Sequence, residues 1–403
     1  MTLQSIDGLK DLHGKTVLVR VDHNVEFDDD GKLKDDRKIR VTLPTLEALL
    51  KKGARLILMT HVGRPKGKRN PKLTTAPIAE HLKKLLKKKV KGMRSVDEVR
   101  GPKVKKMVTD LKDGEILYLE NVRFCPEEEG NDKAFCKDLA SLAEIYVNEA
   151  FPSLHLYEES STCGVARLLP AYAGYYLQKE IDALSRTLDD PRRPLLLIIS
   201  GAKMETKIPV IRRFLDIADD ILLGGCIANT FIAARGFDVG SSKYEEAHIE
   251  LAQELMLESE KEGRAKLHVP RDVVVASEAS ETATKLDLPV EDVAGDMSIF
   301  DIGKVTLERY LKEVDRAGTI IWNGPLGLYE YNRFSHGTKR LAEAIKKATK
   351  KGTYSLIGGG DTLDFHMRYA YSIDAYSFVS TGGGAMLEFL SGDLPALEPL
   401  LER

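Results

Sequence analysis

The stretch TVLVRVD (residues 16–22), followed by LPTLEALLKKG (43–53) and RLILMTH (55–61), decides the fold of the first half of the chain. The outer two segments are short and continuously apolar, as expected of strands covered by helices on both faces of a sheet. The middle segment carries apolar residues at helical spacing. A strand, a helix and a second strand in this order predict one unit of a parallel α/β sheet.

The same alternation continues along the chain. In the first half, EILYLENVRF (115–124) and IYVNEAF (145–151) read as further strands. The second half repeats the scheme with LLLIIS (195–200), DDILLGG (219–225), KLHVPRDVVVA (266–276), GTIIWNG (318–324), TYSLIGGG (353–360) and AYSFVSTGGG (375–384). These runs predict an α/β protein with two doubly wound, Rossmann-like parallel-sheet domains.

The segment between the two halves, YYLQKEIDALSRTLDDPRRP (175–194), has helical spacing and stops at prolines. It predicts an interdomain helix and hinge. We therefore expect an N-terminal domain over 1–172 and a C-terminal domain over 173–390. The tail, 391–403, is a candidate to complete the first domain.

Composition and charge narrow the class of protein. The chain has 403 residues, too many for one typical core. Its formal net charge of -2 does not indicate binding to nucleic acid or lipid. The four cysteines show no CxxC spacing and predict thiols in a reducing compartment. Without an apolar signal core or a membrane-length apolar run, we expect a cytoplasmic protein with no membrane contact.

A run of lysines from Lys83 to Lys91 lies on a predicted amphipathic helix. No aromatic residues are interleaved with it to stack on bases, so a solvated helix face is favoured over a nucleic-acid patch.

Two glycine clusters near the C-terminus, LIGGGDT (356–362) and STGGGAM (380–386), carry the main functional signal. Consecutive glycines let backbone amides approach an anion, and a helix that begins just after them adds its positive end. A single cluster could be only a tight turn. Two clusters, with Asp361 beside one as a possible Mg²⁺ ligand, favour phosphate chemistry.

The predicted strands of the first half are followed by polar side chains, where ligands of open parallel sheets bind. Singly, each has an ordinary structural explanation, as a cap, a surface histidine or an ion-pair partner. Together they suit a small, multiply anionic substrate, because guanidinium groups bind phosphate and carboxylate bidentately. The set is Asp22, His23, Asn24, His61, Arg64, Asn121, Arg123, Asn148 and His155.

The strand ends of the second half carry different chemistry. SGAKMETK (200–207) places Lys203 and Lys207 about one helical turn apart, where both ammonium groups can reach one polyphosphate. Solvated helix charges are the alternative for these lysines. This half therefore reads as the nucleotide-binding domain, to which we also assign Gly201, Gly225, Asn323, Glu330, Gly359, Gly360, Asp361 and Thr362.

Over nearly its whole length the chain resembles the phosphoglycerate kinase family. The resemblance rests on separate motifs in the right order, and Walker-type GxxxxGK[ST], HRD and DFG motifs, and a GxGxxG after the first strand, are missing. The motifs are RVDHN, HVGRP, LENVRF, VNEAF, GAKMETK, GGCIANTF, WNGPLGLYE, GGGDT and STGGGA.

The resemblance implies Mg²⁺-dependent phosphoryl transfer between 1,3-bisphosphoglycerate and ADP, giving 3-phosphoglycerate and ATP, after closure of the two lobes. It implies ADP or ATP held by the second domain, with Asp361 acting through the metal and Glu330 through the ribose. Amides of Gly382, Gly383 and Gly384 would meet the moving phosphoryl group. It further implies glycerate binding by Asp22, Asn24, His61, Arg64, Arg123 and His155. We expect a monomer that acts on small molecules.

Departures from the family pattern concentrate in the glycerate half. Lys38 stands where the family has an arginine, with Arg37 one position earlier, and the sequence leaves open which of them faces the cleft. A lysine lacks the bidentate fork, a loss of about 2 kcal/mol at a transition-state contact. Both residues, with Lys203, Lys207, Gly382 and Gly383, are the predicted catalytic set.

A second departure follows VNEAF. Leu156 stands where an arginine is expected, and Glu158 and Glu159 would oppose an anionic ligand unless they point outward. Smaller changes are Glu149 for an aspartate, Ser200 and Cys226 for glycines, and Thr206 for an acidic residue.

Three functions remain open from the sequence. The leading one is a phosphoglycerate kinase with a rebuilt substrate loop. The second is a kinase of the same fold for a related phosphorylated acid. The third is a non-catalytic nucleotide-binding or regulatory protein that uses the lysine-rich helix to bind nucleic acid, which strongly salt-dependent RNA binding without turnover would favour.

Overall fold

A computed structural model describes residues 2–28, 31–156, 158–392 and 394–402 of the chain. It divides into two compact units, Met1–Asp182 with Leu394–Arg403, and Ala183–Asp393. Each unit has its own central parallel sheet and its own apolar core.

The first unit is built on six parallel strands. Its strands are β1 (Thr16–Val21), β2 (Arg55–Met59), β3 (Gly92–Ser95), β4 (Glu115–Tyr118), β5 (Ile145–Glu149) and β6 (Ala171–Ala173). They lie in the order β3-β4-β2-β1-β5-β6. The central strand β1 pairs with β2 from Thr16 opposite Arg55 and with β5 from Val17 opposite Ile145. The chain continues from β1 to β2 on one side and from β5 to β6 on the other. The sheet's topological switch point therefore lies between β1 and β5.

Helices cover this sheet and account for its buried strands. They are α1 (Arg37–Arg40), α2 (Leu43–Lys51), α3 (Ala76–Leu86), α4 (Pro102–Thr109) and α5 (Lys133–Ala140). The helix α6 (Tyr175–Asp189) begins in this unit and ends in the second. Short β3, β6 and α4 do not figure among the segments predicted from sequence. The lysine run extends beyond α3, because the helix ends at Leu86 and Lys87–Lys89 form a separate turn.

The described residues of the second unit form nine strands. They are β7 (Leu195–Ser200), β8 (Asp220–Gly224), β9 (Lys266–His268), β10 (Asp272–Ala276), β11 (Leu286–Pro289), β12 (Ser298–Ile302), β13 (Thr319–Asn323), β14 (Tyr354–Gly358) and β15 (Phe378–Ser380). Six form a parallel sheet in the order β15-β14-β13-β7-β8-β9, which is the Rossmann order. Its switch point lies between β7 and β13.

The remaining strands form a small antiparallel sheet in the order β11-β10-β12. The segment 266–276, which we read as one strand of the parallel sheet, is therefore divided between two sheets. The break falls at Pro270, which has no N–H to donate to a sheet ladder.

The helices of the second unit follow its parallel strands. They are α7 (Ile208–Ile217), α8 (Gly225–Ala234), α9 (Ile249–Ser259), α10 (Lys304–Arg316), α11 (His336–Lys350), α12 (Gly360–Arg368) and α13 (Gly383–Ser391). Across the described ranges, none of the helices is both long and apolar enough to cross a lipid bilayer. All four cysteines are free thiols, two of them buried and two half-buried.

Candidate active site

A cleft of about 1070 Å³ opens at the carboxyl ends of β1, β2, β4 and β5 in the first unit, and we call it the first-unit cleft. It lies at the end of the sheet where ligands of open α/β sheets bind. Seven residues that the sequence analysis singled out line it: Asp22, Asn24, Lys38, His61, Arg64, Arg123 and His155.

Lys38 rather than Arg37 faces the cleft. The Nζ of Lys38 lies 3.0 Å from Oδ2 of Asp22, whereas Nε of Arg37 lies 2.6 Å from Oδ2 of Asp35, outside the cleft lining. Burial acts to raise the pKa of Asp22, but Lys38 and other neighbouring positive charges offset it, so this pKa lies below its usual value. The Arg37 side chain is therefore not brought into the predicted site.

His61 is held by a buried arginine. Nη2 of Arg20 lies 2.8 Å from Nδ1 of His61, and a guanidinium can only donate hydrogen bonds. Nδ1 is therefore the acceptor, and Nε2 carries the ring proton. Burial, followed by the charge of Arg20, lowers the pKa of His61 well below its ordinary value, so the neutral ring keeps this tautomer.

Arg123 is bound to a carboxylate in its own unit. Its Nε and Nη2 donate to Oε1 of Glu159 at 3.0 and 2.6 Å, and its Nη1 donates to the Gly63 carbonyl at 3.0 Å. Glu159 therefore points inward, whereas the sequence analysis required it to point outward if an anion binds, and the neighbouring Glu158 is exposed. Its charge is offset by the guanidinium groups around it.

His23 is not brought into the cleft, and we withdraw it from the substrate-binding set. Its ring is fully buried, with Nδ1 2.8 Å from the Tyr118 hydroxyl and Nε2 3.0 Å from the Thr42 hydroxyl. Burial lowers its pKa to about 3, and the ring is neutral. Both nitrogens are occupied by the protein, so none is left for a ligand.

The rest of the cleft lining includes polar, charged and apolar side chains. Asn24 accepts a hydrogen bond from the Gly63 N–H at 2.9 Å and so fixes the loop that precedes Arg64, whose side chain is exposed. Leu156 also lines the cleft. An apolar side chain thus occupies the place where the family resemblance led us to expect an arginine.

A second cavity, of about 360 Å³, lies at the switch point of the second-unit sheet, and we call it the second-unit pocket. It opens where β7 and β13 end, at Ser200 and Asn323. The predicted residues that it brings together are Gly201, Lys203, Lys207, Asn323, Gly359, Gly360, Asp361, Thr362, Gly383 and Gly384.

Lys207 is a half-buried cation of this pocket. Its Nζ donates a hydrogen bond to Oδ1 of Asn323, whose Nδ2 in turn donates to the Gly358 carbonyl at 3.1 Å. Burial lowers the pKa of Lys207 to about 8, against the opposing charge of Asp361. A desolvated ammonium group of this kind is strongly stabilised by an anion.

The two glycine clusters meet in the pocket. They begin α12 and α13, and a Cβ built on Gly383 would lie 3.8 Å from Cα of Gly359. Gly359 has a φ of 103°, and a Cβ there would come within 2.8 Å of the Asn323 amide nitrogen. Two nine-residue helices therefore direct their positive ends at one cavity, as an anionic phosphate chain requires.

Three predicted residues do not line the second-unit pocket. Gly225 and Gly382 lie at the starts of α8 and α13, and Glu330 is exposed on the loop after β13.

The donor set of the pocket fits Mg²⁺. Asp361 presents an exposed carboxylate in the first turn of α12, close to Lys207 and the glycine amides. Within the described residues, no three His, Cys, Asp or Glu side chains are grouped as a metal site. Mg²⁺ commonly takes one or two carboxylates together with phosphate oxygens and water, which agrees with a single aspartate here.

Sequence reasoning missed the buried network behind the first-unit cleft. Arg20, fully buried, donates to Ser161 Oγ at 2.8 Å and to the Val21 carbonyl at 2.7 Å, and Ser161 also binds Glu128. Burial and the nearby Glu159 raise the pKa of Glu128 to about 7. The available signal was an arginine inside the otherwise apolar strand TVLVRV.

Comparisons with known proteins agree on one family. The family model described as phosphoglycerate kinase matches residues 6–393. The phosphoglycerate kinase of Chloroflexus aurantiacus is 44% identical over 382 residues, 95% of this chain and 94% of its own. That of Moorella thermoacetica is 44% identical over 398 residues, 98% of this chain and 99% of its own.

Solved structures give the same result. Phosphoglycerate kinase from Coxiella burnetii matches with a TM-score of 0.86 and 38% identity, covering 99% of this chain and 98% of its own. The enzyme from Pyrococcus horikoshii matches with a TM-score of 0.81 and 31% identity, over the same shares. With a family model over nearly the whole chain and relatives well above 30% identity, this chain belongs to the phosphoglycerate kinase family.

Proposed function

We propose that the chain catalyses the reversible transfer of the acyl phosphate of 1,3-bisphosphoglycerate to ADP, giving 3-phosphoglycerate and ATP. The observation that carries this proposal is the second-unit pocket, where two helix N-termini and the half-buried Lys207 converge at the sheet's switch point. Family membership supplies the acid substrate. Neither of the two other functions considered has an observation in its favour.

The nucleotide phosphates are assigned to the second-unit pocket. Lys203 and Lys207 would bind them, and the amides at Gly359, Gly360 and Gly383 would face the transferring group. Lys207 gains most from a bound polyphosphate, because burial makes its isolated charge costly. Mg²⁺ would be held by Asp361 and the nucleotide, and when bound it offsets charge on the phosphate oxygens.

The acid is assigned to the first-unit cleft. Lys38, Arg64 and Arg123 supply positive charge there, and the Nε2–H of His61 supplies a neutral donor. An acyl phosphate already carries a good leaving group, so the chain need only align donor and acceptor and offset charge on the equatorial oxygens. In-line transfer between ligands of two units requires the hinge closure expected from the sequence.

A steady-state assay with 3-phosphoglycerate, ATP and Mg²⁺, coupled to consumption of the acyl phosphate, tests the proposal. We expect turnover in the usual enzyme range, about 1 to 1000 per second, with 2-phosphoglycerate and glycerate inactive. Absence of turnover with 3-phosphoglycerate, in a preparation that binds ADP, would refute it.

Three finer points belong to the same proposal: dependence on Mg²⁺, a monomeric state and a cytoplasmic location. Activity should be lost on chelation of divalent cations and restored by added Mg²⁺. Light scattering should give a mass near the 44.8 kDa of one chain. A stable larger assembly would contradict the monomer.

A further inference from the structure

The carboxylate of Glu159 lies between two arginines that serve the first-unit cleft. It is 3% exposed, and its Oε1 accepts from Nε and Nη2 of Arg123 at 3.0 and 2.6 Å. Its Oε2 lies 3.5 Å from Nη2 of Arg20. One carboxylate therefore touches the guanidinium that lines the cleft and the guanidinium that holds His61.

We infer that Glu159 is a positioning residue for the acid substrate, which orients Arg123 directly and His61 through Arg20. The inference rests on the proposed function and adds a role to a position that the sequence marked as a departure from its family. Glu159 itself does not line the cleft, so it acts through the two residues that do.

A count of donors shows what Glu159 does to Arg123. A guanidinium has five N–H groups. Glu159 takes the Nε–H and one N–H of Nη2, and the Gly63 carbonyl takes one N–H of Nη1. One N–H remains on Nη1 and one on Nη2. Because Arg123 lines the cleft, these two N–H groups are the donors left for a phosphate or carboxylate.

The second link runs through Arg20. Its Nη2 donates to Nδ1 of His61, while Nε and Nη1 are bound to Ser161 and the Val21 carbonyl. Glu159 offsets the charge of Arg20 at the side where it meets His61. The arrangement keeps the Nε2–H of His61 as a donor, so Glu159 supports two separate donors of the cleft.

One oxygen of Glu159 is left without a hydrogen bond. Its Oε2 is buried and has the Arg20 guanidinium, 3.5 Å away, as its charge partner. The contact with Arg20 is therefore an ion pair, whereas the contacts with Arg123 are hydrogen bonds of fixed direction.

Calorimetric titration of the full chain with 3-phosphoglycerate tests the inference, with Glu159→Gln as the variant. Glutamine keeps the size but removes the charge and puts donors opposite donors. We expect the Kd for 3-phosphoglycerate to rise about tenfold or more, with the Kd for ADP unchanged. Glu158→Gln, which changes the exposed neighbouring glutamate, is the matched control and should bind like the wild type.

A fall in the Kd for 3-phosphoglycerate in Glu159→Gln would overturn the inference. If Glu159 merely opposed the anion, its removal would leave two guanidinium groups less compensated and 3-phosphoglycerate would bind more tightly. Unchanged affinity would overturn it equally. If the wild type itself fails to bind 3-phosphoglycerate, both this inference and the proposed function are overturned. If the wild type turns over and Glu159→Gln has an unaltered Kd for 3-phosphoglycerate, the inference alone is refuted.

Arg123→Lys provides a second test, on the other partner of the pair. Lysine keeps the charge beside Glu159 but has no planar set of donors that one carboxylate can hold in place, so the Kd for 3-phosphoglycerate should again rise about tenfold. Adding Glu159→Gln to Arg123→Lys should cause less further loss than it causes in the wild type. If Glu159→Gln weakens 3-phosphoglycerate binding equally in the wild type and in Arg123→Lys, the positioning role is contradicted. A wild-type Kd in Arg123→Lys would contradict it as well.

Discussion

At the residue scale, Lys207 combines partial burial with a hydrogen bond to Asn323 in the lining of the second-unit pocket. Lys207→Ala removes the cation assigned to the nucleotide phosphates, and we expect kcat to fall by about 100-fold or more. Lys312→Ala, at an exposed position on α10, is the control. Wild-type kcat in Lys207→Ala would remove the phosphate site from this pocket.

The pH profile provides a test on the unmodified chain. With its pKa lowered to about 8, Lys207 is charged below that pH and loses its proton as the pH rises through it. A neutral amine binds polyphosphate poorly, so kcat/KM for ATP should fall above about pH 8. Lys207→Arg stays charged and should lack that decline. A profile that is flat through pH 9 in the wild type would contradict this assignment.

Leu156 allows the rebuilt loop to be tested directly. It lines the first-unit cleft, so Leu156→Arg adds a cation facing the acid, and we expect KM for 3-phosphoglycerate to fall about tenfold. Leu168→Arg, at an exposed leucine of the same unit, makes the same chemical change away from the cleft. Equal KM values for the two variants and the wild type would mean that the acid does not reach Leu156.

Sequence patterns predicted which residues follow the strands, but not which way each side chain turns. His23 and Asp22 are neighbours, yet the His23 ring is buried against Tyr118 while Asp22 meets Lys38 in the cleft. The inward turn of Glu159 depends on Arg20 and Arg123, which are distant in sequence. Such pairings follow from tertiary contacts, so spacing along the chain cannot supply them.

At the element scale, the start of α12 depends on glycine. Gly359→Ala would place a methyl group 2.8 Å from the Asn323 amide nitrogen at a φ of 103°, so the helix N-terminus must shift. We expect the Kd for ADP to rise about tenfold or more. Gly352→Ala, at a φ of 106° with open space around it, has the same backbone strain outside the pocket. Similar ADP affinities in both variants would contradict this role of the turn.

Strands with continuous apolar runs, such as 195–200, were predictable, because such runs are typical of a sheet covered on both faces. Short elements were not. β3 contains an arginine and a serine and has one buried residue, so its sequence resembles a loop. The antiparallel sheet was missed because β10 is as apolar as a parallel strand, and only its partners β11 and β12 reveal its sheet.

At the scale of the whole molecule, the chain returns to its first unit at the end. The tail forms a 3₁₀ helix, Pro395–Leu400, in which Leu397 and Leu400 are buried, and the Gln4 N–H donates to the Leu400 carbonyl at 2.8 Å. A bridge joins Leu3 to Leu401. The first unit is therefore complete only when residues from both ends of the chain are present.

Removal of residues 394–403 should consequently destabilise the first unit while leaving the second intact. Burial of two leucines contributes about 3–6 kcal/mol to the free energy of unfolding, at about 1.5–3 kcal/mol each. Trp322, the one tryptophan of the chain, is buried in the second unit, so its fluorescence reports on that unit. In denaturant, we expect the transition followed by circular dichroism to begin earlier, with the Trp322 transition unmoved. Leu400→Ala in the full chain should show a smaller shift of the same kind, and an equal shift of both probes would show that the tail stabilises the two units together.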